Sequence, residues 1–424
     1  MIRRLCAKGI GYWLISFAIL AATILGHSVI DQRLKLDDLK NAMFMLLTRS
    51  TTNPAIPRNV KLIAIGDQEF WGPMRHRSPS NRAYLAGLIR AADAADASVI
   101  ALDFDLRLGG RASGVKAGDY RPVEEEYRAE TDTLIRAIGD VAQRRRIVLV
   151  KTIDGPVNGP FVLQADIYQA YGICSGLRAE GRWDNPGTRD FPLTPAAQRN
   201  ISCGYIALMD DLRQVPPAAH LVGQTARLDS FAMAIARARD PAAPVRLGDG
   251  DYYASYIPEA ALTARSVTVP AAALLADPAA ERAVLQGYPI IGAAWHLRAP
   301  GEGEMADVHD TPIGQVVGSL IHANLTEAVL SGRTYPALPA WVMLLVEAML
   351  GIAAAVMFAL IPSPLLATAV LVAAMPVLLA VQWLSLQLFG TFLDLFAPVI
   401  GLGIHAITDR LIGGGHAPTP STPD

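Results

Sequence analysis

Apolar and polar positions divide the chain into three regimes. Gly9 to Ile30 holds no charged residue and is long enough to cross a bilayer as one helix. Three further apolar runs occupy residues 338–361, 365–386 and 389–412, separated by the turns "IPSP" and "QLFG". Between these ends, short apolar runs of strand type alternate with stretches of helical period. "VKLIAIGD" (60–67), "SVIALDFDL" (98–106) and "IVLVKT" (147–152) read as buried strands. "PSNRAYLAGLIRAADAADA" and "EEEYRAETDTLIRAIGDVAQRR" read as helices between them, the first capped by Ser78 or Ser80. After a Pro- and Gly-rich stretch from Asp154 to Asn200, regular structure resumes at "CGYIALM", and "YYASYI" and "YPIIGAAW" continue as strands. "DSFAMAIARAR" and "VVGSLIHANLTEAVLSGR" continue as helices, and "AAALLADPAAERAVLQG" as helix and turn.

Strand–helix alternation with near-continuous apolar strands predicts a mostly parallel sheet covered on both faces. The expected fold class is therefore α/β: a three-layer, mostly parallel sheet in residues 31–336, plus one N-terminal and three C-terminal transmembrane helices. Arg3, Arg4 and Lys8 precede the first span, so residues 1–8 are assigned to the cytoplasm and the domain to the periplasm. No A-x-A site closes the first span, which favours an anchor over a cleaved signal. Residues 31–50 form a stalk helix with a stripe of Leu36, Leu39, Met43 and Leu46, which packs on the domain or on a second copy as a homodimer. The tail, 413–424, is Pro-, Gly- and Thr-rich and too short to fold.

Composition supports this partition. The chain of 424 residues is 52% hydrophobic and 18% charged, with a net charge of −2. That balance gives no basis for a nucleic-acid partner. Of the three cysteines, Cys174 and Cys203 lie in the domain; export permits a disulfide between them, and spacing leaves the pairing open. Inside the apolar runs, Glu347, Gln382 and Asp394 read as an interhelical packing cluster rather than an ion path.

Ligands of parallel sheets bind beyond the carboxyl ends of the strands. There the sequence places Asp67, Asp103 and Asp105, and the loop "AAWHLRAPGEGEMADVHDTP" brings Asp307, His309 and Asp310. If the strands are neighbours, these groups share one edge. Acids at strand ends cap loop amides and helices; they also suit a hard cation, or zinc with histidine. No metal, phosphate-loop or nucleophile motif accompanies them, so no cofactor and no catalytic residue is assigned. His322 falls beside the apolar stripe of its helix and reads as a packed histidine, with pH sensing as the alternative.

"LKLDDLKNAMFMLLTR", "VKLIAIGDQEF", "NRAYLAGLIRAADAA" into "SVIALDFDL", "SFAMAIARAR", "YPIIGAAW" and "DVHDTPIGQVVGSLIHANLTEAVLSG" occur in this order. Together they resemble the type-two CHASE domain, the cyclase/histidine-kinase-associated sensory extracellular domain. The resemblance implies a periplasmic sensor between one N-terminal and three C-terminal spans. It carries over Asp67, Arg82, Asp103, Asp307, Thr311, Pro312 and His322 as framework or site residues. The cyclase or kinase output usual in the family is not matched by the segment after the last span, "DRLIGGGHAPTPSTPD". The expected function is thus sensing without enzyme activity of its own, with an unidentified periplasmic small molecule or protein as ligand and a separate cytoplasmic or membrane partner as output. The alternatives are a membrane-tethered, metal-dependent hydrolase using Asp67, Asp103 and Asp105, and a structural envelope protein.

Overall fold

The computed structural model describes residues 10, 14, 18, 42–48, 57–75, 80–106, 127–155, 160–174, 193–206, 214–215, 217–225, 227–239, 252–361, 363–393 and 395. The chain divides into two units, Thr48–Thr334 and Met1–Leu47 with Tyr335–Asp424.

In Thr48–Thr334, six strands build one sheet. They are β1 (Val60–Ile65), β2 (Val99–Leu102), β3 (Arg146–Lys151), β4 (Ile201–Tyr205), β5 (Thr268–Pro270) and β6 (Tyr288–Ala293). Their order is β5-β1-β6-β2-β3-β4, and every pairing is parallel. The expected parallel sheet is present. Strand β5 is absent from the sequence reading because three residues carry no period. Tyr252–Ala254, read as a strand of the series, instead pairs antiparallel with Gln214–Val215 outside this sheet.

Helices cover both faces. On one lie α2 (Arg82–Ala94), α3 (Arg128–Ala142) and the short α5 (Ala271–Ala276); α1 (Asp67–Trp71) follows β1. On the other lie α4 (Phe231–Arg239) and α6 (Gly318–Leu330). Leu85, Ile89, Leu134 and Ile138 on the helices meet Ile63, Ile100, Leu102 and Ile147 on the strands in one buried core. The cap of α2 is Asn81, whose side chain accepts from the Tyr84 amide at 3.1 Å. Ser80 stands one residue ahead of that cap, and Ser78 lies outside the described residues.

Helix α6 approaches β6 closely because Gly292 has no side chain. A Cβ there would lie 2.4 Å from the Ser319 Cβ. The Ser319 hydroxyl donates to the Ala293 carbonyl at 2.7 Å. At the sheet's edge, Cys203 of β4 is disulfide-bonded to Cys174, 29 residues earlier, so the pairing left open by spacing is made. Cys203→Ser is expected to lower the stability of the domain by about 3 kcal/mol, read as a drop in the midpoint of thermal or denaturant unfolding.

In the other unit, residues 42–47 are helical, and the helix runs on through residue 48. The buried side chains there are Phe44, Met45 and Leu47, while Leu46 is 66% exposed. The stripe expected through Met43 and Leu46 is therefore displaced. The run "MFMLL" offers two overlapping stripes, and the Phe44 ring, edge-on to Phe392 at 5.1 Å, selects the other. Leu36 and Leu39 lie outside the described residues. Helices α7 (Ala340–Leu360) and α8 (Pro364–Phe389) span 21 and 26 residues. Ser363 caps α8, as "IPSP" requires. Helix α8 runs three residues past the expected boundary at 386 and ends within "QLFG" at Gly390, whose backbone is left-handed (φ 61°). Among the described residues no helix is long and apolar enough to cross a membrane; several side chains of α7 and α8 fall outside that description, as do most of residues 9–30 and 396–412. Gln382 is buried and donates to the Leu393 carbonyl. Asp394 and the Glu347 side chain lie outside the described residues.

Candidate functional site

The helices following β1 and β2 pack on one face of the sheet, and α6, which follows β6, packs on the other. Strand β6 lies between β1 and β2. Its carboxyl end is therefore a topological switch point, with a crevice on either side. The strand-end acids sort themselves between these two crevices.

Asp67 belongs to the β1 side and is committed to holding a loop. Its carboxylate accepts from the His296 amide at 2.6 Å and the Gly301 amide at 2.8 Å, and it meets His296 Nδ1 at 2.8 Å. Burial works to raise its pKa, yet these bonds hold the carboxyl below the usual range. Nearby, buried Glu69 accepts from the Gly66 and Ala272 amides. This crevice is thus filled by its own framework.

The β2 side differs. Asp103 follows β2 and His322 projects from the second turn of α6. Their side chains are 9% and 7% exposed, and His322 Nε2 stands 4.0 Å from Asp103 Oδ1. That is too far for a hydrogen bond. No other hydrogen bond engages either side chain among the described residues. The His322 ring packs edge-on against Phe231 of α4. Burial, reinforced by the negative charge of Asp307, pushes the Asp103 carboxyl up to about 8. Burial pushes the His322 imidazole down to about 4, against the pull of Asp307. Both groups are accordingly neutral at pH 7.

Asp307 and His309 form the rim. The stretch read as a loop into the helix is a β-hairpin: β7 (Val308–Thr311) pairs antiparallel with β8 (Gly314–Val317), and α6 begins only at Gly318. The turn "TPIG" closes the hairpin, with the Thr311 hydroxyl donating to the Gly314 carbonyl at 2.6 Å and accepting from the Ile313 amide. Thr311 and Pro312 are therefore framework. Strand alternation sends His309 and Asp310 to opposite faces; His309 meets Asp307 at 2.8 Å, while Asp310 is exposed. Asp307 has a left-handed backbone (φ 56°) and sets its carboxylate against the start of α6. A Cβ on Gly318 would lie 2.0 Å from Asp307 Oδ2, so only glycine admits that approach.

Of the expected edge, Asp103, Asp307, His309 and His322 are brought together. Asp105 is exposed and Asp310 is turned away, so a single six-residue edge does not form. Arg82 is buried in the framework, its guanidinium donating to Thr131 of α3. Among the described residues no group of three or more ligating side chains converges as a metal requires.

Neutral Asp103 has a thermodynamic signature. Its folded pKa lies above the unfolded value, so the folded state holds a proton that the unfolded chain sheds. The resulting penalty on folding is absent below pH 4 and grows as pH rises towards 8. Asp103→Asn is expected to leave stability unchanged at pH 4 and to raise it progressively as pH approaches 8. Thermal melts of both proteins across that range test it; a destabilised variant at pH 8 contradicts it.

Sequence reasoning missed three buried ionic groups. Glu327 of α6 is 3% exposed. It accepts from the amides of Arg58, Asn59 and Val60 and from the Asn59 side chain at 2.9 to 3.3 Å. Lys151, at the end of β3, is fully buried and paired with Asp166 at 2.7 Å. A lysine inside an apolar strand and a glutamate inside an apolar helix were the available signals, since buried charges require partners.

No curated protein and no solved structure matches the chain. The CHASE2 domain family matches residues 14–361, a span that includes the whole sheet, the hairpin, α6 and α7. The chain belongs to the CHASE2 family of sensory extracellular domains.

Proposed function

We propose that this chain is a membrane-anchored, extracytoplasmic sensor acting through a separate partner. The carrying observation is the β6–β2 crevice. It presents buried Asp103 and His322 at the switch point, without hydrogen-bond partners among the described residues, beside a hairpin that leads directly into α6. This suits recognition of a small polar ligand better than catalysis, because among the described residues there no nucleophile, base and orienting group stand in hydrogen-bonded sequence. The four-span topology is supported by the apolar runs at 9–30, 338–361, 365–386 and 389–412, by basic residues ahead of the first, and by the backbone lengths of α7 and α8. The Cys174–Cys203 disulfide supports an oxidising compartment for the domain.

Thiol trapping of the full chain in bacterial cells tests location. Of three cysteines, only Cys6 is expected to react with an alkylating reagent added at lysis. Deleting the host's periplasmic thiol oxidase is expected to expose Cys174 and Cys203 as well. Recovery of all three as free thiols in wild-type cells sinks the extracytoplasmic placement.

A further inference from the structure

We infer that the β6–β2 crevice is a receptor site for the primary ammonium head of a small amine, held between Asp103, His322 and Asp307. The inference rests on the sensor reading above and specifies its ligand class.

Three observations lead there. First, Asp103 and His322 are each more than nine-tenths buried, have no hydrogen-bond partner among the described residues, and face one another across 4.0 Å. Neither group spends its polar atoms on the other at that distance, so both are available to an occupant. Second, the crevice offers acceptors. Neutral His322 provides a ring nitrogen, and Asp103 and Asp307 provide carboxyl oxygens; among the described residues no lysine or arginine is paired with any of them. An ammonium carries three donors and no acceptor. Third, an anion has no seat. The start of α6 would attract one, but the Asp307 carboxylate already lies against Gly318 there.

Ligand number, rather than spacing, argues for an ammonium over a metal. Two ligands on one tetrahedral zinc stand about 3.4 Å apart. Two acceptors of one ammonium stand about 4.4–4.7 Å apart at ordinary hydrogen-bond lengths. The pair lies between these values, and the convergence of three or more ligands that a metal needs is not found among the described residues.

Binding moves one proton. The amine enters as the protonated alkylammonium and Asp103 enters as the neutral carboxylic acid. The complex holds the Asp103 carboxylate against the alkylammonium, and one proton leaves to solvent. No covalent bond to the amine forms or breaks. The titratable groups facing Asp103 are His322 from α6 and Asp307 and His309 from the hairpin. With His322 neutral throughout, Asp103 sets the pH dependence.

The test is isothermal titration of the full chain in detergent with 1,4-diaminobutane, at pH 6, 7 and 8, in two buffers of different ionisation enthalpy. Affinity is expected to rise by about tenfold from pH 6 to pH 7 and to level off near pH 8. Buffer-dependent heats should report about one proton released at pH 6. Asp103→Asn should lose about tenfold in affinity or more, together with the pH slope, while its thermal melt shows an intact fold. His322→Gln, which keeps an acceptor, should bind better than His322→Ala. Tetramethylammonium, with no N–H donor, should not bind. Absence of amine binding up to about 10 mM, equal binding of tetramethylammonium, or binding unchanged in Asp103→Asn overturns the inference. Zinc chloride binding with the amine silent does so too. A non-amine ligand whose protection against melting is lost in Asp103→Asn overturns the ammonium assignment and leaves the crevice as the sensory site; the thiol-trapping result is independent of all these outcomes.

Discussion

Glu327→Ala is expected to destabilise the domain by about 4 kcal/mol, lowering its thermal midpoint by roughly 10 °C. The carboxylate receives three successive backbone amides and one side-chain amide. Alanine leaves these donors facing the space vacated by a buried carboxylate, next to the first residue of β1. Glu327→Gln keeps one acceptor oxygen and should lose about half as much. A nearly neutral Glu327→Ala melt contradicts the account.

The consequence extends beyond stability. Residues Arg58 to Val60 are where the chain enters the sheet, and α6 is where it leaves, ten residues before α7 begins. Glu327 therefore joins the incoming and outgoing segments at the amino end of the sheet. The other end of α6 starts at the crevice, against Asp307 and close to His322. One rigid helix of 13 residues, about 20 Å long, connects the candidate ligand groups to both chain connections. Glu327→Gln should accordingly weaken the response of a signalling partner more than it weakens ligand binding, a split that a purely structural role would not produce.

Much of this fold was legible in the chain, for identifiable reasons. Strands β1, β2, β3 and β6 are buried on both faces, so their apolar runs are unbroken. Helices α2 and α3 each bury one stripe, so their period is clear. The hairpin β7–β8 was not legible. "DVHDTPIGQVV" has polar residues on both faces of β7, since only Thr311 of that strand is buried, and its apolar residues merge with those of α6. The stalk stripe failed for the opposite reason: apolar positions were too many to distinguish one face. The site was legible as a list of strand-end residues. Which of them converge depended on two facts that no strand pattern carries, the insertion of β6 between β1 and β2 and the extra hairpin that turns Asp310 away. Asp103 was identified by position, but its isolation from any partner among the described residues is a property of three elements together.

Lys151→Met tests whether a lysine at the carboxyl end of a central strand belongs to the framework or to the site. The position suggests function; the geometry assigns structure. Its ammonium is fully buried, contacts both oxygens of Asp166 at 2.7 and 2.9 Å, and lies 5.6 Å from the centre of the Tyr168 ring. Asp166 in turn caps the short helix Ile167–Ala170, accepting from the amides of Tyr168 and Gln169. Burial lowers the pKa of Lys151 against the attraction of Asp166, and burial raises that of Asp166 against the attraction of Lys151. Removing the cation strands a carboxylate in the interior, at a cost of about 3–5 kcal/mol at pH 7. In that variant the folded pKa of Asp166 rises further above the unfolded value. Its contribution is then favourable below pH 4 and is lost as pH rises, so the deficit relative to the wild type should shrink in acid. The double variant Lys151→Met with Asp166→Asn removes both charges and keeps an oxygen to cap the helix. It should recover most of the lost stability, giving a coupling of about 2 kcal/mol or more in the double-mutant cycle. Amine binding at the β6–β2 crevice should be unchanged in the double variant. Additive single losses, or abolished binding in a stable double variant, would move Lys151 out of the framework and into the recognition site.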